Sequence, residues 1–287
     1  AKCPVYFAPA MDLDMYKHPS TLANFKALHE FGNTIIPAES GELASGLSGE
    51  GRMAEPENIV AFIEADLANQ LPLKGKTILV TAGPTYEAID PVRFIGNHSS
   101  GKMGYDIALC AAQLGASVLL VSGPSHCKAN HTGIQILPVV SAQEMYDLCH
   151  TYFSQVDVAI AAAAVADYKP KNVASQKIKK SDAEFSIELE KTKDILAYMG
   201  AVKKNQMVIG FALETENEIE NANLKIQKKN LDLIVLNSLQ DDGAGFQKET
   251  NKVTFIDKNF NIQPMELKSK EAVAADIINK VIAYFNA

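Results

Sequence analysis

The sequence predicts an α/β fold, a mostly parallel sheet with helices on both faces, and three observations lead there. From residue 77 onward, short Val/Ile/Leu-rich runs alternate with helical stretches, the pattern of strands buried on both faces and joined by crossover helices. Gly115 stands just past the first of these helices, a good place for a left-handed terminating residue. A Gly/Ser-rich loop, Gly96-Asn97-His98-Ser99-Ser100-Gly101-Lys102-Met103-Gly104, follows the first strand and the turn Ala82-Gly83-Pro84-Thr85, and leads into an apolar helix. Backbone N–H groups point outward at such a helix start and the helix dipole favours negative charge, so the loop is an anion cradle and the chain is expected to handle a phosphorylated ligand.

Taken in order, the first region reads as a strand at residues 5–7, a helix at 20–31, a strand at 34–36, a Gly-rich loop at 41–51 and a helix at 57–70. The stretch Leu71-Pro72-Leu73-Lys74-Gly75 separates it from the second region, giving expected domains at residues 1–71 and 72–287. The second region carries strands at 77–81, 117–122, 135–138, 156–161, 208–211, 231–236 and 252–256. Its helices are expected at 101–114, 142–153, 194–201, 214–229 and 270–285.

A length of 287 residues suits roughly two domains of about 150 each. The net charge of -7 argues against general nucleic-acid binding, though a local basic patch can still hold a small polyanion. No apolar run approaches the roughly 18 residues that span a bilayer. The opening Ala1-Lys2-Cys3-Pro4 has neither an initiator Met nor a signal-peptide layout, and it runs into a strand, so the chain reads as a fragment of a longer cytoplasmic protein. Cys3, Cys110, Cys127 and Cys149 lack zinc or CxxC spacing and read as buried or incidental thiols.

Two familiar nucleotide motifs fail. A dinucleotide site needs G-x-G-x-x-G directly after the first strand, where this chain has Ala82-Gly83-Pro84-Thr85, which disfavours an NAD-binding module. The residues from Gly96 to Lys102 fit a phosphate-loop pattern, but Met103 stands where a hydroxyl must hold magnesium.

Several blocks, in order, carry a resemblance. They are Val80-Thr81-Ala82-Gly83-Pro84-Thr85, Asp90-Pro91-Val92-Arg93, Asn97 through Gly104, Ala161-Ala162-Ala163-Ala164-Val165-Ala166-Asp167-Tyr168, Lys177-Ile178-Lys179-Lys180, Gly210-Phe211-Ala212-Leu213-Glu214-Thr215 and Lys228-Lys229-Asn230-Leu231-Asp232. From about Lys74 onward the chain resembles phosphopantothenate–cysteine ligase. The first 71 residues, through Pro9-Ala10-Met11-Asp12-Leu13-Asp14-Met15-Tyr16, Gly41-Glu42-Leu43-Ala44-Ser45-Gly46 and Gly51-Arg52-Met53, resemble the last part of the flavin-dependent phosphopantothenoylcysteine decarboxylase to which bacterial ligases are fused. The resemblance implies a Rossmann-like sheet preceded by a partial flavodoxin-like segment.

It also implies a reaction. The family joins 4′-phosphopantothenate to cysteine with CTP and Mg2+ through an acyl-cytidylate, and the main charge problem is bringing a carboxylate to a triphosphate. By resemblance, Asn97 acts at the activated acyl group and Lys177 at the reacting phosphate. Asp167, Phe211, Lys225, Lys229 and the turn Lys193-Asp194-Ile195-Leu196 contact the nucleotide, although the family often has Pro where this chain has Lys193. Read from residues alone, Lys225 and Lys229 share a helix face as an ordinary wet surface would, and Asn97 suits a turn. Ser99, Ser100 and Gly101 open the helix and are expected to bind phosphate, to cap, or both. Gly83 lets a phosphate approach the first turn. Ala162, Ala163 and Ala164 leave room beside a strand end for substrate. No metal ligands are assigned, and the resemblance implies a homodimer through the ligase domain and a higher homo-oligomer in the full-length protein.

The first 71 residues depart from the decarboxylase pattern. Asp12 stands where an Asn orients the substrate carboxylate, and an Asp there repels it unless protonated. Ser45 stands where a Cys donates a proton, and a hydroxyl is a far weaker acid than a thiol of pKa about 8.5. The chain begins after the family's catalytic His, and His18 reads as structural. FMN is expected for the intact decarboxylase domain and not for this fragment. Two alternatives to the ligase remain, a protein whose main activity is FMN-dependent decarboxylation and a non-catalytic flavoprotein-like regulatory subunit.

Overall fold

The computed structural model describes residues 1–179, 186–214, 216–238 and 250–286. Lys180 and Thr215, from two of the blocks above, lie outside the described residues. The chain divides into two compact units, Ala1–Leu71 and Pro72–Ala287.

In the first unit, β1 (Tyr6–Phe7) pairs in parallel with β2 (Thr34–Ile35) across α1 (Leu13–Lys17) and α2 (Pro19–Glu30). Asp12 starts α1 by accepting the Leu13 N–H at 2.6 Å, and the His18 ring accepts the Ser20 N–H at 3.3 Å to start α2. The stretch expected to be a Gly-rich loop is instead a hairpin, β3 (Glu39–Glu42) and β4 (Ser48–Arg52), with Gly41 opposite Gly49. Glycine lowers strand propensity, but here pairing across the hairpin supplies the structure that propensity does not. The unit ends in α3 (Pro56–Asn69).

The second unit begins with β5 (Thr77–Ala82), a hairpin of β6 (Tyr86–Ala88) and β7 (Phe94–Gly96), and α4 (Lys102–Gln113). It continues through β8 (Ser117–Ser122), β9 (Ile134–Pro138), α5 (Ala142–Tyr152), β10 (Val158–Ala161), β11 (Tyr168–Pro170), β12 (Leu189–Lys191) and α6 (Ile195–Val202). It closes with β13 (Met207–Glu214), α7 (Glu218–Lys229), β14 (Leu233–Ser238), β15 (Thr250–Asn251), β16 (Val253–Asp257), β17 (Ile262–Pro264), β18 (Lys268–Ser269) and α8 (Lys270–Phe285). Eight of these strands form one sheet in the order β17-β16-β14-β13-β10-β5-β8-β9. The six strands from β14 to β9 pair in parallel; β16 and β17 are antiparallel. The helix expected from residue 214 starts four residues later because β13 runs on to Glu214, paired with Ser238 of β14.

Alternation along the strands sends side chains into two apolar layers. Ile78, Val80 and Ala82 of β5, with Met207 and Ile209 of β13, meet α4 and α8 on one face. Leu79 and Val208, one position out of phase, meet α5, α6 and α7 on the other. Both layers are buried, and each fully buried Leu, Ile or Phe contributes about 1.5–3 kcal/mol relative to exposure.

The chain leaves the centre of this sheet twice. From β5 it moves outward to β8 and β9, then returns to the opposite side of β5 with β10, β13 and β14. The connections leaving β5 and β10 therefore run to opposite sides at a reversal of strand order, where open α/β sheets leave a crevice. Gly83, at φ +78°, and Gly123 let the turns after β5 and β8 touch; a Cβ on Gly123 would sit 1.7 Å from the Pro84 carbonyl oxygen. Gly123→Ala is expected to cost about 1–3 kcal/mol by forcing backbone apart. Urea unfolding measures it, and unchanged stability would contradict this contact.

Candidate active site

Two cavities open at the reversal between β5 and β10. One, of about 520 Å3, is lined by Asp167, Lys193, Asp194, Ile195, Leu196, Phe211, Lys225 and Lys229, with Ala161 and Ala163. The other, of about 410 Å3, is lined by Asn97, Ser99, Ser100, Gly101, Ala162, Ala163 and Ala164, with Lys102, Lys270, Asn237 and Asn251. Ala163, Val165, Asp167, Phe211 and Lys225 line both, so the cavities adjoin.

The shared wall is chain that has left the sheet but keeps its hydrogen bonds. Ala162 N–H donates to the Thr81 carbonyl at 3.2 Å, Ala163 N–H to Thr81 Oγ1 at 3.2 Å, and Ala164 N–H to the Gly83 carbonyl at 2.9 Å. Buried Thr85 continues the seam, its hydroxyl accepting the Ala166 N–H at 3.0 Å. The Asn97 NH2 group donates to the Ala164 and Val165 carbonyls at 3.2 and 3.0 Å. That orients Asn97, whose carbonyl oxygen keeps its acceptor capacity for a ligand.

The second half of the wall is fixed from Asp167. Thr192 N–H donates to the Asp167 carbonyl at 3.0 Å and its hydroxyl to the Ala166 carbonyl at 2.7 Å. This ties the turn from Lys193 to Leu196 against the alanine run. Asp194 starts α6 by accepting the Ala197 N–H at 2.9 Å and pairs with Lys229 Nζ at 2.7 Å. Burial works against the Asp194 carboxylate, but Lys229, the Ala197 N–H and the charge of Lys225 together hold it below the usual carboxylate range. Lys225 Nζ donates to the Phe211 carbonyl at 2.8 Å, and Lys193 Nζ lies 4.7 Å from the centre of the Tyr146 ring. Lys225 and Lys229 therefore stand on a cavity face held by specific partners, where helical spacing alone is equally consistent with a solvated surface.

At the cradle, Gly101 begins α4 at φ +83°. The Ser99 hydroxyl accepts the Gly101 N–H at 3.2 Å and the Ser100 hydroxyl accepts the Lys102 N–H at 3.4 Å, so both serines satisfy N–H groups at the helix start while lining the cavity. Gly83 lines neither cavity and packs against Gly123.

Lys177 lies exposed on a loop and lines neither cavity. Its neighbour Ile178 is firmly held. Buried Asp90 accepts N–H bonds from Val92 at 2.8 Å, Arg93 at 2.9 Å and Ile178 at 3.1 Å, and takes the Arg93 guanidinium. Arg93 also donates to the Ile178 carbonyl at 2.8 Å. Although burial opposes ionisation of Asp90, the bonds from Arg93, Val92 and Ile178 hold its carboxyl far below the usual carboxylate range. Sequence reasoning quoted Thr85, Asp90 and Arg93 without giving them a role, and it passed over Thr192. Asp90-Pro91 before a cationic residue was the available signal, since such an Asp accepts turn N–H groups.

Asp12 is engaged in starting α1, and Ser45 is exposed in the turn between β3 and β4. Among the described residues no group of three His, Cys, Asp or Glu side chains is arranged to hold a metal ion. No described helix is long and apolar enough to cross a membrane.

A cation-rich crevice at a strand-order reversal, beside a helix-start cradle, is an α/β arrangement suited to anionic ligands. The chain belongs to the DNA/pantothenate metabolism flavoprotein family: residues 73–285 match its C-terminal domain, and residues 1–68 match the flavoprotein family. It is 52% identical over 287 residues to a cysteine/cysteine sulfinic acid decarboxylase of an unknown prokaryotic organism, covering 98% of this chain and 80% of that protein. It is 43% identical over 285 residues to the coenzyme A biosynthesis bifunctional protein CoaBC of Bacillus subtilis (strain 168), covering 99% and 70%. The crystal structure of the C-terminal domain of a coenzyme A biosynthesis bifunctional protein CoaBC superposes with a TM-score of 0.65 at 41% identity, covering 76% of this chain and 99% of that one.

The lowered pKa of Asp90 has a defined sign. Its stabilisation is complete above the unfolded value near 3.8 and is lost as pH falls through the folded value. Asp90→Asn is therefore expected to be less stable than the parent at pH 7 and to lose less stability on acidification. Thermal midpoints from pH 7 to pH 3 measure this, and parallel curves would contradict it.

Proposed function

We propose that the crevice activates a carboxylate with a nucleoside triphosphate and delivers the acyl group to an amine: CTP-dependent ligation of 4′-phosphopantothenate to cysteine, in coenzyme A biosynthesis. The observation that carries this is the pair of adjoining cavities, one with Lys193, Lys225 and Lys229 on its wall, the other with Asn97 and the open alanine run. Membership of the family and the names of the CoaBC relatives support the same reading.

The carboxylate oxygen attacks the α-phosphorus, the bond to pyrophosphate breaks, and an acyl-cytidylate forms. The cysteine amine then attacks the acyl carbon, CMP leaves, and the ammonium proton passes to solvent. Lys225 and Lys229 offset charge as carboxylate and triphosphate meet, in a site where donors and cations are already oriented. Asn97, held by the Ala164 and Val165 carbonyls, steadies the acyl group. Mg2+, when bound with the nucleotide, would offset triphosphate charge, and Asp167, the carboxylate common to both cavities, would help to hold it.

Lys177 reaches the reacting phosphate in this reading through association of two chains. Val92 and Phe94 on the β6–β7 hairpin are 61% and 52% exposed, an apolar surface suited to a second copy. Mixing Asn97→Ala with Lys177→Gln is expected to restore about a quarter of wild-type turnover, because half the pairs are mixed and one of their two sites is intact. Absence of recovery would place both residues in one chain. Lys177→Gln alone is expected to lower pyrophosphate release about 100-fold or more with CTP and phosphopantothenate; release at the wild-type rate would remove its role. Asn97→Asp sets a carboxylate against two carbonyl oxygens and is expected to slow cysteine addition more than acyl-cytidylate formation, in single-turnover assays. Equal losses in both halves would count against it.

The 52% identical relative favours a second reading, in which the intact protein also decarboxylates a cysteine-derived acid with FMN. Asp12 and Ser45, standing where the family has Asn and Cys, weaken the substrate-orienting and proton-donor roles in that reading. Carbon dioxide release from cysteine or phosphopantothenoylcysteine by the intact protein with FMN tests it; none from either substrate would remove it.

A further inference from the structure

At one end of the 410 Å3 cavity, two helices begin side by side, and each carries a lysine at its first position: Lys102 on α4 and Lys270 on α8. Lys270 is 5% exposed. A lysine there lies close to the positive end of the helix dipole, and the nearby Asp106 carboxylate partly offsets its charge. Lys102 is held by Asp106 at 3.2 Å and by the outer carboxylate of Glu271 at 3.5 Å, so the positive ends of both helices are braced in place.

A second observation points to a ligand independently. Asn251 is also 5% exposed and lines the same cavity, and its side-chain oxygen has no hydrogen-bond partner among the described residues. Antiparallel pairing of β15 with β18 sets Asn251 opposite Lys268, beside the start of α8. The Asn237 side-chain oxygen, at the end of β14, lines the cavity and is likewise unpartnered. A buried polar atom without a partner is costly, and an amide can turn to offer either its oxygen or its NH2 group. The lysines select an anion, toward which the amides present NH2.

We propose that Lys270, with Asn251 and Lys102, holds the terminal phosphates of the nucleotide and then the departing pyrophosphate. This rests on the ligase reading and extends it to residues from the far end of the chain. The cytidine and α-phosphate then lie toward the wall shared with the larger cavity, and the leaving group lies toward the two helix starts.

Calorimetric titration of the protein with inorganic pyrophosphate, CTP and CMP tests this. Lys270→Gln is expected to weaken pyrophosphate and CTP about tenfold or more and to leave CMP within about twofold, because only the terminal phosphates lose a charged donor. Lys270→Arg is expected to retain most of the affinity, and Asn251→Ala to weaken pyrophosphate and CTP without affecting CMP. If the wild type binds all three and Lys270→Gln binds pyrophosphate unchanged, or loses CMP equally, this assignment falls while the ligase reading stands. If the wild type binds neither CTP nor pyrophosphate, both fall together.

Discussion

The second unit depends on a seam of hydrogen bonds that outlasts its strands. β5 and β10 end at Ala82 and Ala161, yet Thr81, Gly83 and Thr85 go on holding Ala162, Ala163, Ala164 and Ala166. This fixes a run of small residues at the point where strand order reverses. Without the seam, the alanine run would be a loop free to collapse into the crevice; with it, the methyl side chains leave space and the backbone stays put. Asn97 takes its orientation from the carbonyls of this run, and Thr192 attaches the Lys193–Asp194 turn to its far end.

Charge is distributed around that wall with little waste. Lys229 is paired with Asp194, Lys225 is bonded to a backbone carbonyl, and Lys102 is paired with Asp106 and Glu271. Each ammonium is therefore held in position before a ligand arrives, which reduces the ordering needed on binding. The lysine on the exposed loop is different. Lys177 is placed through its neighbour Ile178 by Asp90 and Arg93, on a surface next to an apolar hairpin. The same loop is also tied to this surface by the Ala174 N–H, which donates to the Ile89 carbonyl at 3.0 Å.

Much of the fold was legible because its causes are local. Alternating apolar strands and helices announced a parallel sheet covered on both faces, and the Gly/Ser-rich helix start announced the cradle. The hairpins were not legible. Residues 39–52 are rich in glycine, which reads as loop until the opposing strand is known, and β6 and β7 are three residues each. In the site, motif resemblance drew attention to Asn97, Asp167, Phe211, Lys225 and Lys229, which the fold gathers around two cavities. It gave no reason to group Asn251 and Lys270 with the cradle, because only the pairing of β15 with β18 and the packing of α8 on α4 bring them there. Gly83, read for phosphate approach, packs between the backbone of Gly123 and Gly101 of the cradle.

The central claim is that this crevice brings a carboxylate to the α-phosphorus of a nucleotide. Oxygen tracing tests it most directly. Phosphopantothenate carrying 18O in its carboxylate, turned over with CTP and cysteine, is predicted to pass one labelled oxygen to the CMP phosphate. Label found in inorganic phosphate or pyrophosphate, or retained entirely in the amide product and water with none in CMP, would contradict the account.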